Sequence, residues 1–89
     1  MRHQLHIQLR SSEGAVMRTL GLIERRGFMV CSMNLSEADG HGRSLTVNLE
    51  SSRSPELLRR QLERLHDVLW VEHQSAPSQG QWAGAKAVN

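Results

Sequence analysis

Residues 14–34 constrain the fold of this chain more than any other segment. Val16, Leu20 and Ile23 recur at positions i, i+4 and i+7, which places them on one face of a helix. Gly27 then predicts the end of that helix, because glycine adopts the left-handed capping conformation at little cost. An apolar strand begins directly after it, at Phe28. The segment therefore predicts a helix joined to a strand with almost no loop between them.

The strand that follows, residues 28–35, alternates imperfectly between polar and apolar side chains. Phe28 and Val30 share one face, whereas Met33 and Leu35 share the other. Either both faces of the strand are partly covered, or a bulge near residues 31 and 32 switches the register. The pattern is compatible with both arrangements.

Three further strands and a second helix follow from the same kind of periodicity. Residues 4–9 and 44–50 alternate strictly between polar and apolar side chains, as half-buried strands do. Residues 68–73 predict a shorter fourth strand. The sequence Ser-Pro-Glu at residues 54–56 begins a helix, because it supplies a capping hydroxyl, a proline at the first helical position and an acid at the positive end of the helix dipole.

The predicted order of elements is β-α-β-β-α-β. Two helices on one face of a four-stranded antiparallel sheet place the chain in the α+β class, with a ferredoxin-like topology. Residues 1–74 would form this single domain. Residues 75–89 are small and polar with little to bury, so they predict a disordered tail in which Trp82 is a mobile aromatic residue.

Size and composition favour a small intracellular domain. With 89 residues, the chain is near the lower end of what folds alone, which favours oligomerisation. Its single cysteine, Cys31, excludes an internal disulfide and fits a reducing compartment. The first ten residues contain no apolar run long enough for a signal peptide or a membrane span. We therefore expect a soluble, cytoplasmic protein without a membrane partner.

The charge of the chain does not indicate a nucleic-acid partner. Eleven basic residues face nine acidic ones, a formal net charge of +2. Arginines on both predicted helices are interleaved with glutamates, which is more typical of a solvated surface than of a phosphate-binding face. An RNA-recognition sheet would also need aromatic residues on the strands at residues 4–9 and 44–50, and these strands have none.

The side chains do not indicate catalysis or metal binding. The loop after the first strand lacks the paired thiolates of a copper-carrying domain. The five histidines are scattered, and His3 and His6 would point to opposite faces of one strand. Cys31 makes a thiol nucleophile formally possible, with His41 and His66 elsewhere in the chain, but a cysteine in mid-strand is more typical of packing. We therefore predict no catalytic residue and no metal site.

The remaining candidate site is made of backbone. Ser11, Ser12 or Glu13 can serve the opening of the first helix, which then begins at Gly14. Unpaired N–H groups at the start of a helix attract a small carboxylate such as that of an amino acid, and Gly14 would let it approach closely. A glycine that simply makes the turn accounts for this residue equally well.

Three short motifs in the opening segment resemble the ACT domain of acetolactate synthase regulatory subunits. They are Gly14-Ala15-Val16 after a short polar loop, the helical run Arg18-Thr19-Leu20-Gly21-Leu22-Ile23, and Arg26-Gly27-Phe28. Residues 26–34 resemble the short small subunits of the isozyme II type more closely still. The resemblance extends over residues 3–74, and its second half matches only in pattern and length.

The resemblance implies a non-catalytic, activating subunit. Its partner would be the large catalytic subunit of acetolactate synthase, the enzyme that makes acetohydroxy acids for isoleucine, valine and leucine. That partner would carry thiamine diphosphate, Mg and FAD, and this chain would carry no cofactor. In feedback-sensitive relatives, valine sits between two paired ACT domains.

By the same resemblance, the effector-binding positions would be Ser11, Gly14, Ala15, Met29 and Val30. Gly14 and Ala15 are retained, but Ser11 and Met29 stand where the family has asparagines. A hydrogen bond to a charged group contributes about 1.5–3 kcal/mol, so the loss of both amides would weaken amino-acid binding strongly. We therefore predict a degenerate effector site with a weak or absent response to valine.

The second strand would be an edge strand in this topology, and it carries neither a charge nor a proline to blunt the edge. We expect a homodimer through this edge, with Phe28, Val30, Ser32 and Asn34 at the interface and one continuous eight-stranded sheet. The alternative function is that of a stand-alone ACT domain, which would bind an amino acid or another small effector at such a dimer interface.

Overall fold

The computed structural model describes residues 1–75 of the chain. Its elements follow the predicted order: β1 (Arg2–Leu9), α1 (Ala15–Arg25), β2 (Met29–Leu35), β3 (Arg43–Glu50), α2 (Pro55–Glu63) and β4 (Val68–Ser75). β4 is two residues longer than predicted. The rest of the predicted disordered tail, including Trp82, lies outside the described residues.

The four strands form one antiparallel sheet in the order β2-β3-β1-β4. β1 and β3 show the strict alternation that the sequence predicts, with every second residue buried. These buried residues pack with side chains of both helices in a single hydrophobic cluster. The predicted ferredoxin-like α+β fold is confirmed, and β2 is an edge strand.

The buried face of α1 differs from the prediction. Ala15, Thr19, Leu22 and Ile23 are buried, whereas two of the three predicted core residues, Val16 and Leu20, are only half-buried. A threonine can occupy the buried face because its Oγ1 donates a hydrogen bond to the carbonyl oxygen of Ala15 at 2.8 Å. The apolar stripe therefore lies about one position away from where hydrophobicity alone placed it.

The end of α1 is closed by backbone hydrogen bonds around Gly27, which has φ 88°. The N–H of Gly27 donates to the carbonyl oxygen of Glu24 at 3.1 Å, and the N–H of Phe28 donates to that of Ile23 at 3.3 Å. This pair of bonds is the Schellman motif, in which the residue after the glycine packs back on the helix. Phe28 is accordingly buried in the core and precedes β2, so its assignment to the edge strand is wrong.

α2 begins as predicted. Ser54 Oγ accepts a hydrogen bond from the backbone N–H of Glu56 at 3.3 Å, and Pro55 is the first helical residue. Leu58 and Leu62 are fully buried against the sheet, and Leu65, beyond the end of the helix, is half-buried.

A bulge in β2 resolves the two arrangements that the sequence left open. Val30 pairs with Leu49 of β3, and Ser32 pairs with the adjacent Asn48, so Cys31 is the extra residue. As a result Val30, Met33 and Leu35 all face the helices, because each pairs with a buried residue of β3. Cys31, expected to be a packing residue, is exposed in the bulge.

Candidate functional site

Asp67, in the turn before β4, organises the loop between β1 and α1. Its Oδ1 accepts a hydrogen bond from Ser12 Oγ, and its Oδ2 accepts one from Arg18 Nε, each at 2.7 Å. Its carbonyl oxygen accepts from the backbone N–H of Arg10 at 2.7 Å. Arg18 also donates through Nη2 to the carbonyl oxygen of Glu13 at 2.8 Å. One aspartate therefore holds the loop at both of its ends.

The negative charge of Asp67 is balanced by the guanidinium of Arg18. Its hydrogen bond from Arg18, followed by that from Ser12, lowers the pKa of Asp67 from 3.8 to about 2. These bonds favour the ionised form of the carboxyl group, and the same contact raises the pKa of Arg18. The sequence analysis missed this pair. A signal was present, because Arg18 has no acid three or four residues away on its own helix.

Gly14 is the N-cap of α1 and has φ 80°. The prediction that a serine hydroxyl caps this helix is wrong, because Ser12 Oγ donates to Asp67 and the N-cap makes no side-chain hydrogen bond. The Arg18 guanidinium lies over Gly14, where a Cβ would come within 2.7 Å of Nη1. The start of the helix therefore combines backbone N–H groups with a cation already paired to Asp67.

The structure divides the predicted effector residues between the two ends of the sheet. Ser11, Gly14 and Ala15 follow the end of β1, whereas Val30 lies across β3 from His3, at the start of β1. Six residues of strand separate these levels, a distance of about 20 Å at 3.3 Å per residue. Within one chain, Met29 and Val30 do not meet the other three residues.

The predicted dimer edge is the free side of β2. Ser32 and Asn34 lie on the sheet face opposite the helices, because they pair with Asn48 and Thr46 of β3. Ser32 Oγ accepts a hydrogen bond from Asn48 Nδ2 at 2.7 Å. Val30 is half-buried on the helix side. Within residues 1–75, β2 pairs only with β3, so its outer edge offers backbone groups to another strand.

A hollow of about 250 Å³ lies beside Ser11. It is lined by Arg10, Ser11, Leu69 and the turn at residues 39–42 between β2 and β3. This turn packs on the end of β1, because Gln8 Nε2 donates to the carbonyl oxygen of His41 at 2.9 Å, and a Cβ at Gly42 would collide with the carbonyl oxygen of Leu9. The sequence analysis predicted the turn but not its contact with the end of β1.

Two histidines meet at the other end of the sheet. His3 Nδ1 and His73 Nε2 are 3.5 Å apart, and His3 is buried with Nε2 unpartnered in the described part of the chain. Burial, followed by the charge of His73, lowers the pKa of His3. Residues 1–75 contain no group of three or more side chains placed to hold a metal ion. They also contain no helix long and apolar enough to cross a membrane.

Comparison of the sequence with known proteins gives two related results. Residues 11–71 match the model of the ACT domain family. The chain is also 38% identical over 72 residues to the acetolactate synthase isozyme 2 small subunit of Escherichia coli K12, a match that covers 80% of this chain and 83% of that protein. The same figures hold for the isozyme 2 small subunit of Shigella flexneri.

Solved structures support the fold. The crystal structure of the ACT domain from GTP pyrophosphokinase of Chlorobium tepidum matches with a TM-score of 0.70 and 17% identity, over 83% of this chain and 97% of that domain. The C-terminal domain of MgtC from Mycobacterium tuberculosis matches with a TM-score of 0.67 and 16% identity, over 86% and 88% of the two chains.

The matched relatives are small subunits and the matched family is a regulatory domain, so this chain is not itself catalytic. The predicted family resemblance is confirmed by sequence and by fold. The chain belongs to the ACT-domain family of acetolactate synthase small subunits.

Proposed function

We propose that this chain is the regulatory subunit of an acetolactate synthase in branched-chain amino acid biosynthesis, and that it activates a larger catalytic chain. The observation that carries the proposal is its 38% identity to a small subunit of this enzyme, over four-fifths of both chains. The catalytic chain would carry thiamine diphosphate, Mg and FAD, and the complex would form in the cytoplasm.

We further infer that two copies pair through β2. The outer edge of this strand has no partner strand within residues 1–75, and its side chains include no charge that would oppose pairing. Antiparallel pairing of two β2 strands gives an eight-stranded sheet. It also reverses one copy, so Met29 and Val30 of that copy lie at the same end of the joined sheet as Ser11 and Gly14 of the other.

This arrangement supports an effector site shared between copies, and the side chains of the site support a weak response to valine. Ser11 is exposed and makes no hydrogen bond to residues 1–75. Met29 is 61% exposed, and its thioether cannot replace an amide donor. Two hydrogen bonds to a charged ligand contribute about 1.5–3 kcal/mol each, so their loss weakens binding by roughly two to four orders of magnitude.

Titration of the purified catalytic subunit with this chain tests the main proposal. We expect a saturable increase in acetolactate formation and co-elution of the two chains in size-exclusion chromatography. A chain that neither binds nor activates the catalytic subunit would overturn the proposal.

Isothermal titration with valine, leucine and isoleucine tests the effector site. We expect weak or no binding by the natural chain and tighter valine binding by the double variant Ser11→Asn, Met29→Asn. Micromolar binding by the natural chain would contradict the degenerate site. In the absence of any catalytic partner, the same result would favour the alternative, a stand-alone ACT domain that binds a small effector at its dimer interface.

A further inference from the structure

A groove of about 480 Å³ opens between the end of α1 and the start of α2. Its volume falls in the range of about 300–1,000 Å³ that is typical of ligand-binding pockets. The groove lies at the opposite end of the sheet from Ser11 and Gly14, because it is lined by the last residues of α1, the first two turns of α2 and the residues that follow α1 and precede α2. It is therefore distinct from the hollow beside Ser11.

Three arginines line this groove, Arg25, Arg26 and Arg53, together with one acid, Glu24, which gives the lining a net charge of +2. Within residues 1–75, none of the three arginines forms an ion pair, and Glu24 lies beyond 4.0 Å from their guanidinium nitrogens. A cleft lined by one sign of charge concentrates the opposite charge from solution. The groove therefore favours an anionic occupant.

Three arginines within the two helices, in contrast, form ion pairs. Arg18 pairs with Asp67, Arg59 with both Glu56 and Glu63, and Arg60 with Glu56. The solvated, charge-interleaved surface predicted from the sequence describes the pairs of Arg59 and Arg60 on α2. It does not describe the groove, where three cations share one concave surface with a single acid, Glu24, that pairs with none of them.

The position of Arg53 is unfavourable for the isolated domain. It directly precedes Ser54, the N-cap of α2, where the positive end of the helix dipole disfavours a cation. Its guanidinium lies over Gly27, where a Cβ would come within 2.5 Å of Nε. Arg25, in contrast, stands in the last turn of α1, where a cation is favourable. An external anion would compensate for the cost at Arg53.

Two further features of the groove, a buried hydrogen-bond acceptor and an apolar surface, indicate that the occupant is a peptide and not a simple ion. Gln61 Oε1 is buried without a hydrogen-bond partner among the described residues, so it can accept from a backbone N–H group of an occupant. Leu57 is 60% exposed, and the buried Phe28 also lines the groove, so the same occupant can place an apolar side chain against them.

We propose that this groove docks an acidic segment of the catalytic subunit, in which a carboxylate side chain stands next to an apolar one. The carboxylate side chain contacts Arg26 and Arg53. A backbone N–H group of the same segment donates a hydrogen bond to Gln61 Oε1, and the neighbouring apolar side chain packs on Leu57. The inference rests on the proposed function, since it names the surface through which this subunit contacts its partner. It leaves β2 free to pair with a second copy.

The test compares the natural chain with three variants of the full chain, for binding to the catalytic subunit by isothermal titration and for activation of acetolactate formation. The groove variant is the double substitution Arg26→Glu, Arg53→Glu. The matched control is the double substitution Arg60→Glu, Arg64→Glu, which reverses the same number of charges at exposed positions of α2 and its C-cap, outside the groove. The neutral variant Arg53→Gln guards against loss of folding, and circular dichroism checks each form.

We expect the groove variant to bind the catalytic subunit at least about ten-fold more weakly, and the control to bind like the natural chain. The affinity of the natural chain should also fall as salt is raised, because charge pairs at a surface are screened. Arg53→Gln should give an intermediate loss.

If the natural chain binds and the folded groove variant binds equally well, the groove is not the contact surface, although the proposed function stands. If the natural chain itself does not bind the catalytic subunit, the proposed function is wrong, and the inference about the groove falls with it. If inorganic phosphate binds in the groove of the natural chain but does not compete with the catalytic subunit, the groove is a small-anion site, which also overturns the inference.

Discussion

Arg18 and Asp67 are 49 residues apart in the chain, yet Arg18 Nε lies 2.7 Å from Asp67 Oδ2. The pair joins the first turns of α1 to the turn between α2 and β4, which lie at the same end of the helix layer because Leu9 pairs with Val68. Asp67 is 5% exposed, whereas the side chain of Arg18 remains half exposed. The start of α1 is thus positioned by a side chain from the second half of the domain.

Asp67 makes the protein sensitive to strong acid. Its pKa is lowered from 3.8 to about 2 in the folded state, so its contribution to stability is complete above pH 3.8 and is lost as the pH falls toward 2. We expect Asp67→Asn to unfold at a lower urea concentration than the natural chain at neutral pH, and this difference to shrink below pH 3. Glu63→Gln, at an exposed ion pair, is the control and should change little. Equal urea midpoints for Asp67→Asn and the natural chain at neutral pH would contradict the role of Asp67.

His3 gives a second pH dependence, in a milder range. Its pKa is lowered by burial and by His73, so the unfolded chain binds the proton more readily and stability decreases as the pH falls below 6.5. We expect the free energy of unfolding to fall between pH about 7.5 and about 5.5, and His3→Leu to reduce this fall. His6→Gln, on the exposed face of the same strand, is the matched control. A pH profile that His3→Leu leaves unchanged would show that another group is responsible.

Two glycines, one inside α1 and one just after its end, should respond to alanine in opposite directions. Gly27 has φ 88°, so Gly27→Ala should destabilise the protein by roughly 1–2 kcal/mol. Gly21 lies inside the helix, and a Cβ there would meet only Arg25 Nη1, at 3.4 Å, among the described residues. Gly21→Ala should therefore stabilise the protein by up to about 1 kcal/mol. Chemical denaturation of the two variants measures both effects, and destabilisation by Gly21→Ala would indicate a contact that this domain does not show by itself.

The proposed pairing through β2 predicts an effect of charge at one edge position. Asn34→Lys places a charged side chain on the edge strand of each copy, where lysine opposes strand pairing, and we expect it to raise the dimer dissociation constant at least about ten-fold. Thr46→Lys is the control, because Thr46 pairs with Asn34 on the same sheet face but lies on the interior strand β3. Light scattering over a range of concentrations measures both variants. A natural chain that is monomeric at micromolar concentration would contradict the pairing itself.

The elements with a clear period could be predicted from the sequence, and their contacts with distant residues could not. The alternation of β1 and β3 and the Ser-Pro-Glu start of α2 each depend on neighbouring residues, so the sequence analysis identified them correctly. The buried face of α1 was misplaced because a threonine counts as polar until its hydroxyl is seen to bond to Ala15. The start of α1 was misassigned because Ser12 has a better partner in Asp67.

The candidate site shows the same limit. Sequence alone identified Ser11, Gly14 and Met29 as one set of positions, but only the strand register shows that they lie at two ends of the sheet. The arginine groove could not be predicted from the sequence either, because its residues come from two distant segments of the chain. Arg26 and Arg53 look like ordinary surface residues until the end of α1 and the start of α2 are placed side by side.

The bulge at Cys31 makes the length of β2 adjustable at this point. With Cys31 present, Val30 and Met33 face the same side although they are three positions apart. A chain that lacked Cys31 would pair Val30 and Ser32 with the adjacent Leu49 and Asn48 without a bulge, so Met33 and Leu35 would still face the helices. The fold should therefore tolerate many different residues at position 31 and also its deletion, whereas the loss of one residue from β3, which pairs with β1 without a bulge, would turn its buried side chains toward solvent.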